Sequence, residues 1–344
     1  MSSCNVVFSA NLRLPDGTPV LPADLLKRLD GLDNLNYRFL DQPSAHITGE
    51  HIADASILVQ SGLIVDDATF ALGAERLAAI CLFSLGFDTV DIAACTRAGV
   101  AVTRTRGISK HTVASGALTL ILALGKRLMD KQRIAQGGQW KQKRGQWGHD
   151  IEGQTLGIVG LGDIGRELVR LVAPFQMRVL ITDPYVDDAV FDDLGVERTS
   201  LPELLATSDF VSLHCNLTDE TRGMIGEGEL RQMKPTAYLV NTARGPVVRQ
   251  DALVRALTEN WIAGAGIDVF EVEPLPADDP LIGLDNAILT PHTIGASHES
   301  VRRGSEMIID QITSFARGRI PDHVINPEVL DDNEFARKLG MMRH

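Results

Sequence analysis

Residues 156–166 read LGIVGLGDIGR. Leu156 to Val159 suits a short buried strand. Three glycines, Gly160, Gly162 and Gly165, follow in GxGxxG spacing and open an amphipathic segment from Ile164 to Phe175. The first glycine allows the tight turn out of the strand, the second lets a pyrophosphate approach bare backbone, and the third lets the helix lie close to the strand. Amides at the helix start, at Asp163 and Ile164, then face the phosphates. A GxGxxG run on its own is weak evidence. Here a second apolar run, Arg178 to Thr182, follows and ends on Asp183, 18 residues after Gly165. That is near the spacing at which a carboxylate accepts hydrogen bonds from an adenosine ribose. Strand, glycines, helix, strand and acid arrive in order, which favours a dinucleotide site over a glycine turn with no ligand.

The pattern on both sides of this stretch alternates in the same way. In residues 5–105, NVVFSA, SILVQSG, AAICLFS and VAVT read as strands, and LPADLLKRLDGL, DDATFALGAERL and DTVDIAACTRAG as the helices between them. Val113 to Met129 reads as one long helix, apolar around most of its surface, with Leu118, Leu120 and Leu122 in the core. Such a helix needs burial on several sides, between domains or at a subunit contact. Gly137 to Gln154, with Trp140 and Trp147, reads as a surface excursion. FVSLH, AYLVN, AGAGIDVF and AILTPH are later strands, and the helix Ser300 to Arg317 returns to the first unit. The tail after Pro327 reads as loose, with Met341 and Met342 making no contacts. The expected fold is α/β: a Rossmann-type doubly wound parallel sheet, residues 108–298, inserted into a smaller flavodoxin-like α/β outer domain of residues 1–107 and 299–344.

Composition bounds the function. The chain has 344 residues, enough for two domains. Its 33 basic and 45 acidic side chains give a formal charge of −12, with no general attraction to nucleic acid or anionic membranes. Cys4, Cys81, Cys95 and Cys215 are scattered without CxxC pairing, so neither a disulfide framework nor a metal site is expected; Cys81 and Cys95 read as small core residues. The opening MSSCNVVFSANLRLPDG lacks the pattern of a signal peptide, and the apolar run Val113–Leu124 is too short to span a bilayer. A cytoplasmic location is expected.

In open α/β sheets, ligands collect beyond the carboxyl ends of the strands. Arg244 follows AYLVNTA, Glu273 follows GAGIDVFEV and precedes Pro274, and His292 follows AILTP. An arginine, a carboxylate and a histidine on one rim suit hydride transfer at an α-keto acid. The guanidinium grips a carboxylate and the keto oxygen, the histidine donates a proton to the developing alkoxide, and the carboxylate raises the histidine pKa. The bland alternatives are a surface ion pair for Arg244, a turn residue for Glu273, a core histidine for His292 and a strand-end cap for Asp268. His214 reads as structural or as a wall of the cofactor site. His46, His51, His111, His149, His298, His323 and His344 show no usable pattern.

At these residues the chain resembles the D-isomer-specific 2-hydroxyacid dehydrogenases, from about residue 50 to 327. The resemblance rests on LGIVGLGDIG, LVNTARGPVV, GAGIDVFEVEP and ILTPHTIGAS in the family's order. It implies that Arg244 binds substrate, His292 is the acid/base and Glu273 its partner. It also implies that Asp268 contacts the nicotinamide carboxamide, and that Asp163, Ile164, Thr242 and Ala243 join the glycines and Asp183 in the cofactor site. FSLGFD resembles the family's substrate loop, in which the amides of Leu85 and Gly86 hold the carboxylate within a cleft between domains. Asp183 before Pro184 and Tyr185 resembles NAD-preferring members, since a carboxylate repels the 2′-phosphate of NADP. The implied activity is interconversion of small 2-oxo acids, such as glyoxylate or hydroxypyruvate, and D-2-hydroxy acids by a homodimer.

The chain departs from the family pattern in several places. Val113, Ala114 and Ser115 stand for VAE, Arg104 and Arg106 for the Asn and Pro of an NxPG-like loop, and Asn216 for a proline. Gln60 stands where phosphoglycerate dehydrogenases tend to carry a phosphate-binding arginine, and no stretch remains for their C-terminal regulatory domain. Both points lower 3-phosphoglycerate as substrate. The two arginines are either solvated or meet a second acidic group on a substrate. Rival readings are an NAD(H)-sensing binding protein resembling the C-terminal-binding corepressors, and a dehydrogenase of formate or phosphite. Glu273, where formate enzymes tend to place Gln, speaks against formate.

Overall fold

A computed structural model of the chain describes residues 4–342. Met1–Ser3 and Arg343–His344, at the ends of the expected outer domain, lie outside the described residues. The chain divides into two compact units, Met1–Ser109 with Ser297–His344, and Lys110–Ala296.

The first unit carries strands β1 (Cys4–Phe8), β2 (Leu35–Phe39), β3 (Ile57–Gln60), β4 (Ala79–Leu82) and β5 (Ala101–Arg104), all parallel, in the order β2-β1-β3-β4-β5. This is the flavodoxin-like order. Its central strands are buried on both faces, which is why they read as unbroken apolar runs. Val6, Phe8, Ile57 and Val59 pack with Ile308, Ile312 and Phe315 of the helix His298–Ala316. Val7, Leu58, Ile80 and Val102 form the core on the other face.

Three expectations fail in this unit. LNYRF is an edge strand that the sequence reading passes over, because Asn36 and Arg38 interrupt its apolar residues. It is held by pairing with β1 and by the Phe39 ring stacked 4.7 Å from Phe8. DDATFALGAERL is not a helix but a 3-10 turn, Asp67–Phe70, because the Asp66 carboxylate takes the amides of Ala68 and Thr69 and the chain turns at Gly73. The tail is not loose. Helix Asn333–Met341 buries Phe335 and Leu339 against the first sheet's core, Met342 is fully buried beside Cys4, and Arg337 reaches the Met341 sulfur. Its apolar period is diluted by Lys338, whose ammonium is itself buried and donates to the Ala98 carbonyl at 2.5 Å.

The second unit is a seven-stranded parallel sheet. Its strands are β6 (Thr155–Val159), β7 (Arg178–Thr182), β8 (Glu197–Arg198), β9 (Phe210–Leu213), β10 (Tyr238–Asn241), β11 (Gly264–Ile267) and β12 (Ala287–Leu289). Their order is β12-β11-β10-β9-β6-β7-β8, a doubly wound sheet in which strands are added to one side of β6 and then to the other. The expected long helix over Val113–Met129 is two helices, Lys110–Gly125 and Leu128–Gln136, bent by 62°. Arg127 takes φ +50° at the break. The cause lies in the surface excursion: the His149 amide donates to the Gly125 carbonyl at 2.7 Å, taking an acceptor that a continuing helix would use. Leu120 is buried, and Leu118 and Leu122 pack partly buried on the same core. Among the described residues, no single helix is long and apolar enough to cross a membrane.

Candidate active site

The switch point of the second sheet lies between β6 and β9, and the chain after both strands is pressed together there. Gly160 has φ +97°, and a Cβ on it would lie 2.7 Å from the Cys215 amide nitrogen. A Cβ on Gly165 would lie 2.3 Å from the Gly160 carbonyl oxygen, so this glycine is required by the packing of helix Asp163–Val172 against the turn. Gly162 differs: a Cβ there meets nothing within 4 Å. The fold does not need that position bare, whereas a pyrophosphate at the helix start would. Asp183, at the end of β7, accepts from the amides of Leu161 at 2.7 Å and Tyr185 at 2.9 Å, one on each oxygen, and keeps lone pairs for a ribose.

Two further polar groups at the carboxyl ends of β9 and β10 are buried without a hydrogen-bond partner among the described residues: Nδ1 of His214 and Oγ1 of Thr242. Burial pushes the His214 pKa down to about 4, so the ring is neutral, with Nε2 2.8 Å from the Ser212 hydroxyl. Orphaned polar atoms are uncommon in native interiors. Together with the open Gly162 cradle and Asp183, they fit a dinucleotide.

The loops after β10, β11 and β12 carry the ionisable groups. Asn241 shapes the first loop: its side chain accepts from the Ala243 amide and donates to the Arg244 carbonyl, both at 3.0 Å. Gly245 then lies so close to the next loop that a Cβ would sit 1.8 Å from the Phe270 oxygen. This contact brings Arg244 beside residues 270–273. Asp268, buried at 3% exposure, takes three hydrogen bonds on Oδ1, from the amides of Thr293 at 2.9 Å and Ile294 at 3.0 Å and the Thr290 hydroxyl at 2.7 Å. Its carbonyl accepts from the His292 amide at 2.7 Å. His292 is thereby held at φ +55°, a left-handed conformation that costs a side-chain-bearing residue about 1–2 kcal/mol.

Glu273 accepts from the Phe270 amide on Oε1 at 2.9 Å, and its Oε2 lies 2.7 Å from Nδ1 of His292. The hydrogen bond that His292 donates to Glu273 is the main cause raising the His292 pKa; burial opposes it, Glu273's charge adds to it, and the nearby Arg244 charge works against it. Burial acts to raise the Glu273 pKa, but the bonds from His292 and the Phe270 amide, with the charges of His292 and Arg244, leave it lowered. With Nδ1 committed to Glu273, Nε2 is left as the nitrogen able to exchange a proton with a ligand.

The residues Leu85 and Gly86 lie in the first unit, in the loop after β4, and their amides donate to nothing among the described residues. Gln60 is fully buried, its Oε1 accepting from the Leu63 amide at 2.8 Å. Arg104 is part-buried and donates to the Leu85 carbonyl, so it is not simply solvated.

Residues 118–293 match the family model described as the D-isomer specific 2-hydroxyacid dehydrogenase, NAD binding domain. A glyoxylate reductase of Korarchaeum cryptofilum (strain OPF8) is 44% identical over 296 residues, covering 84% of this chain and 88% of that protein. This chain belongs to the D-isomer-specific 2-hydroxyacid dehydrogenase family. Among solved structures, the TT0316 protein of Thermus thermophilus superposes with a TM-score of 0.83 at 33% identity, covering 93% of this chain and 99% of that one. A D-lactate dehydrogenase from Aquifex aeolicus, complexed with NAD and lactic acid, gives a TM-score of 0.79 at 28% identity over 96% of this chain and 98% of that one.

The dehydrogenase is therefore an oxidoreductase acting on a CH–OH group with a nicotinamide cofactor. Its sequence hides several supporting residues. Asn241, Thr290 and Gly245 shape the rim through contacts with residues distant in sequence or with nearby backbone, and no periodicity marks them. His46 and His111, which show no pattern in the sequence, pair with Asp66 at 2.9 Å and Glu167 at 2.7 Å. The glycines of the dehydrogenase make a direct test possible. Gly162→Ala is expected to leave the melting temperature unchanged while weakening NADH binding by about tenfold, whereas Gly165→Ala should lower the melting temperature, because its Cβ has no room. Thermal melts with and without NADH check both; an unaltered NADH affinity in the first variant would remove Gly162 from the cofactor site.

Proposed function

We propose that this dehydrogenase reduces small 2-oxo acids, glyoxylate and hydroxypyruvate foremost, to D-2-hydroxy acids with NADH, and runs the reverse reaction. The observation that carries the reading is the Glu273–His292 pair, 2.7 Å apart, with the Arg244 charge close enough to act on both. Nε2 of His292 gives its proton to the oxygen that becomes the alkoxide, while Nδ1–H stays on Glu273. Arg244 grips the keto oxygen and carboxylate in fork geometry. The amides of Leu85 and Gly86 are the second carboxylate contact. The reduced nicotinamide supplies the hydride when bound. In this reading Asp268 keeps Oδ2 for the carboxamide, and Gly160, Asp163, Ile164, Thr242 and Ala243 complete the cofactor site.

NAD rather than NADP is favoured by Asp183, whose carboxylate would face a 2′-phosphate. The neighbouring Arg198 is engaged with Asp188 and lies over the Phe191 ring. NADH absorbance with a panel of 2-oxo acids tests the whole reading. Turnover of glyoxylate or hydroxypyruvate, with kcat/KM at least about tenfold higher for NADH than for NADPH, is expected. No oxidation with any member would favour the NAD(H)-sensing alternative.

A homodimer is part of the proposal. Residues 126–147 carry seven basic side chains and one acidic one in a chain of net charge −12, and Leu128, Met129, Trp140 and Trp147 are exposed there. Such a segment suits an acidic surface on a second copy. Light scattering is expected to give twice 37.3 kDa. A monomer mass at micromolar concentration would overturn it.

A further inference from the structure

In the loop Phe83–Asp88 each carbonyl from residue 84 to 86 is gripped by a donor. The Ser84 oxygen accepts from the Thr105 amide at 3.2 Å and the Thr105 hydroxyl at 3.1 Å. The Leu85 oxygen accepts from Nη1 of Arg104 at 3.3 Å, and the Gly86 oxygen from the Ser84 hydroxyl at 2.8 Å. The amides of Leu85 and Gly86, by contrast, have no acceptor among the described residues. A trans peptide is flat, and its C=O and N–H point in opposite directions. Whatever holds the Leu85 carbonyl therefore sets where the Gly86 N–H points, and whatever holds the Ser84 carbonyl sets the Leu85 N–H. Thr105 does the second; Arg104 does the first.

The guanidinium is well placed to hold that peptide still. Its central carbon lies 5.3 Å from the centroid of the Phe87 ring, so the loop is tied at Leu85 and again two residues later. β5 presents Arg104 in register with Leu82, the last residue of β4, so the arm starts from a rigid strand end beside the loop it grips. A cation at the oxygen end of a peptide also polarises it, which makes its N–H a stronger donor to an anion.

We propose that Arg104 is a positioning residue for the substrate carboxylate, acting through the Leu85–Gly86 peptide rather than by touching substrate. The inference rests on the reading of those amides as a carboxylate contact. It also accounts for an arginine where the resemblance leads one to expect asparagine: the side chain serves the loop and not a second acidic group on the substrate.

The test uses the full-length enzyme with Arg104→Met, which keeps a long side chain against Phe87 but loses donor and charge, and Arg104→Lys, which keeps both. Arg104→Met is expected to raise the KM for glyoxylate about tenfold, with kcat within about twofold and the KM for NADH and the melting temperature unchanged. Arg104→Lys should recover most of the loss. Binding of oxamate to the NADH-loaded enzyme, followed by calorimetry, should weaken by the same factor. A 2-oxo acid bearing a second carboxylate should lose no more than glyoxylate does.

An unchanged KM in Arg104→Met, a loss confined to dicarboxylates, or an equal loss in both variants with a lowered melting temperature would each overturn the inference. Failure of the underlying reading looks different: the unaltered enzyme would neither oxidise NADH with any 2-oxo acid nor bind oxamate, and both would fall together.

Discussion

His292→Ala is expected to lower kcat by about a hundredfold to ten-thousandfold while leaving NADH affinity within about twofold, the range for loss of a positioned general acid. Because His292 sits at φ +55°, an alanine there also perturbs the backbone, so His292→Asn is the companion variant: asparagine tolerates the left-handed region but cannot deliver the proton. Both variants should fail in turnover and bind NADH normally. Full activity in either would remove His292 from the chemistry. Glu273→Gln gives the same assignment a pH signature. The carboxylate raises the His292 pKa, so its loss should lower that pKa. In the proposed mechanism, reduction needs the protonated ring and falls as pH rises through the pKa; oxidation needs the neutral ring and rises there. Both limbs should move to lower pH in Glu273→Gln, and a profile that stays in place would dissociate Glu273 from the titration. In the folded state the raised pKa also contributes stability below the unfolded value of 6.5, lost as pH rises through the folded pKa.

Arg244→Lys should reduce kcat/KM for 2-oxo acids by about a hundredfold to ten-thousandfold. A forked guanidinium makes two charge-assisted hydrogen bonds, each worth about 1.5–3 kcal/mol, and about 1.4 kcal/mol corresponds to a factor of ten. Lysine keeps the charge but not the planar fork, so orientation of the keto carbon is lost along with binding, and kcat should fall as well as KM rise. The fold should tolerate the change: Nη1 of Arg244 donates to the Ala243 carbonyl at 2.7 Å, a single bond that a lysine ammonium can also make, and the loop is shaped besides by Asn241 and by the close approach of Gly245 to Phe270. Steady-state kinetics decide it: an unaltered kcat/KM would mean that some other group holds the substrate.

Much of this was legible before any coordinates. The glycine run, the acid at Asp183 and the apolar strands are local patterns; Arg244 and His292 stand three residues after β10 and β12, whereas β11 ends at Ile267, so Glu273 lies further along its loop than the apolar run GAGIDVF suggests. The failures have local causes too. Asp66 diverts a helical pattern into a 3-10 turn, Asn36 and Arg38 mask an edge strand, and Lys338 masks the amphipathic period of the C-terminal helix. The break at Arg127 could not be read, since the group that takes the Gly125 carbonyl comes from residue 149.

By itself the sequence determined the fold class, the family and which side chains stand at strand ends, because strand periodicity and glycine spacing are set by backbone sterics over a few residues. Only the tertiary structure decided which nitrogen of His292 faces Glu273, that Asp268 clamps the loop that carries it, and which donors hold the carbonyls of Ser84 and Leu85. Those directions depend on which distant donor reaches each carbonyl and carboxylate, and no spacing along the chain encodes that.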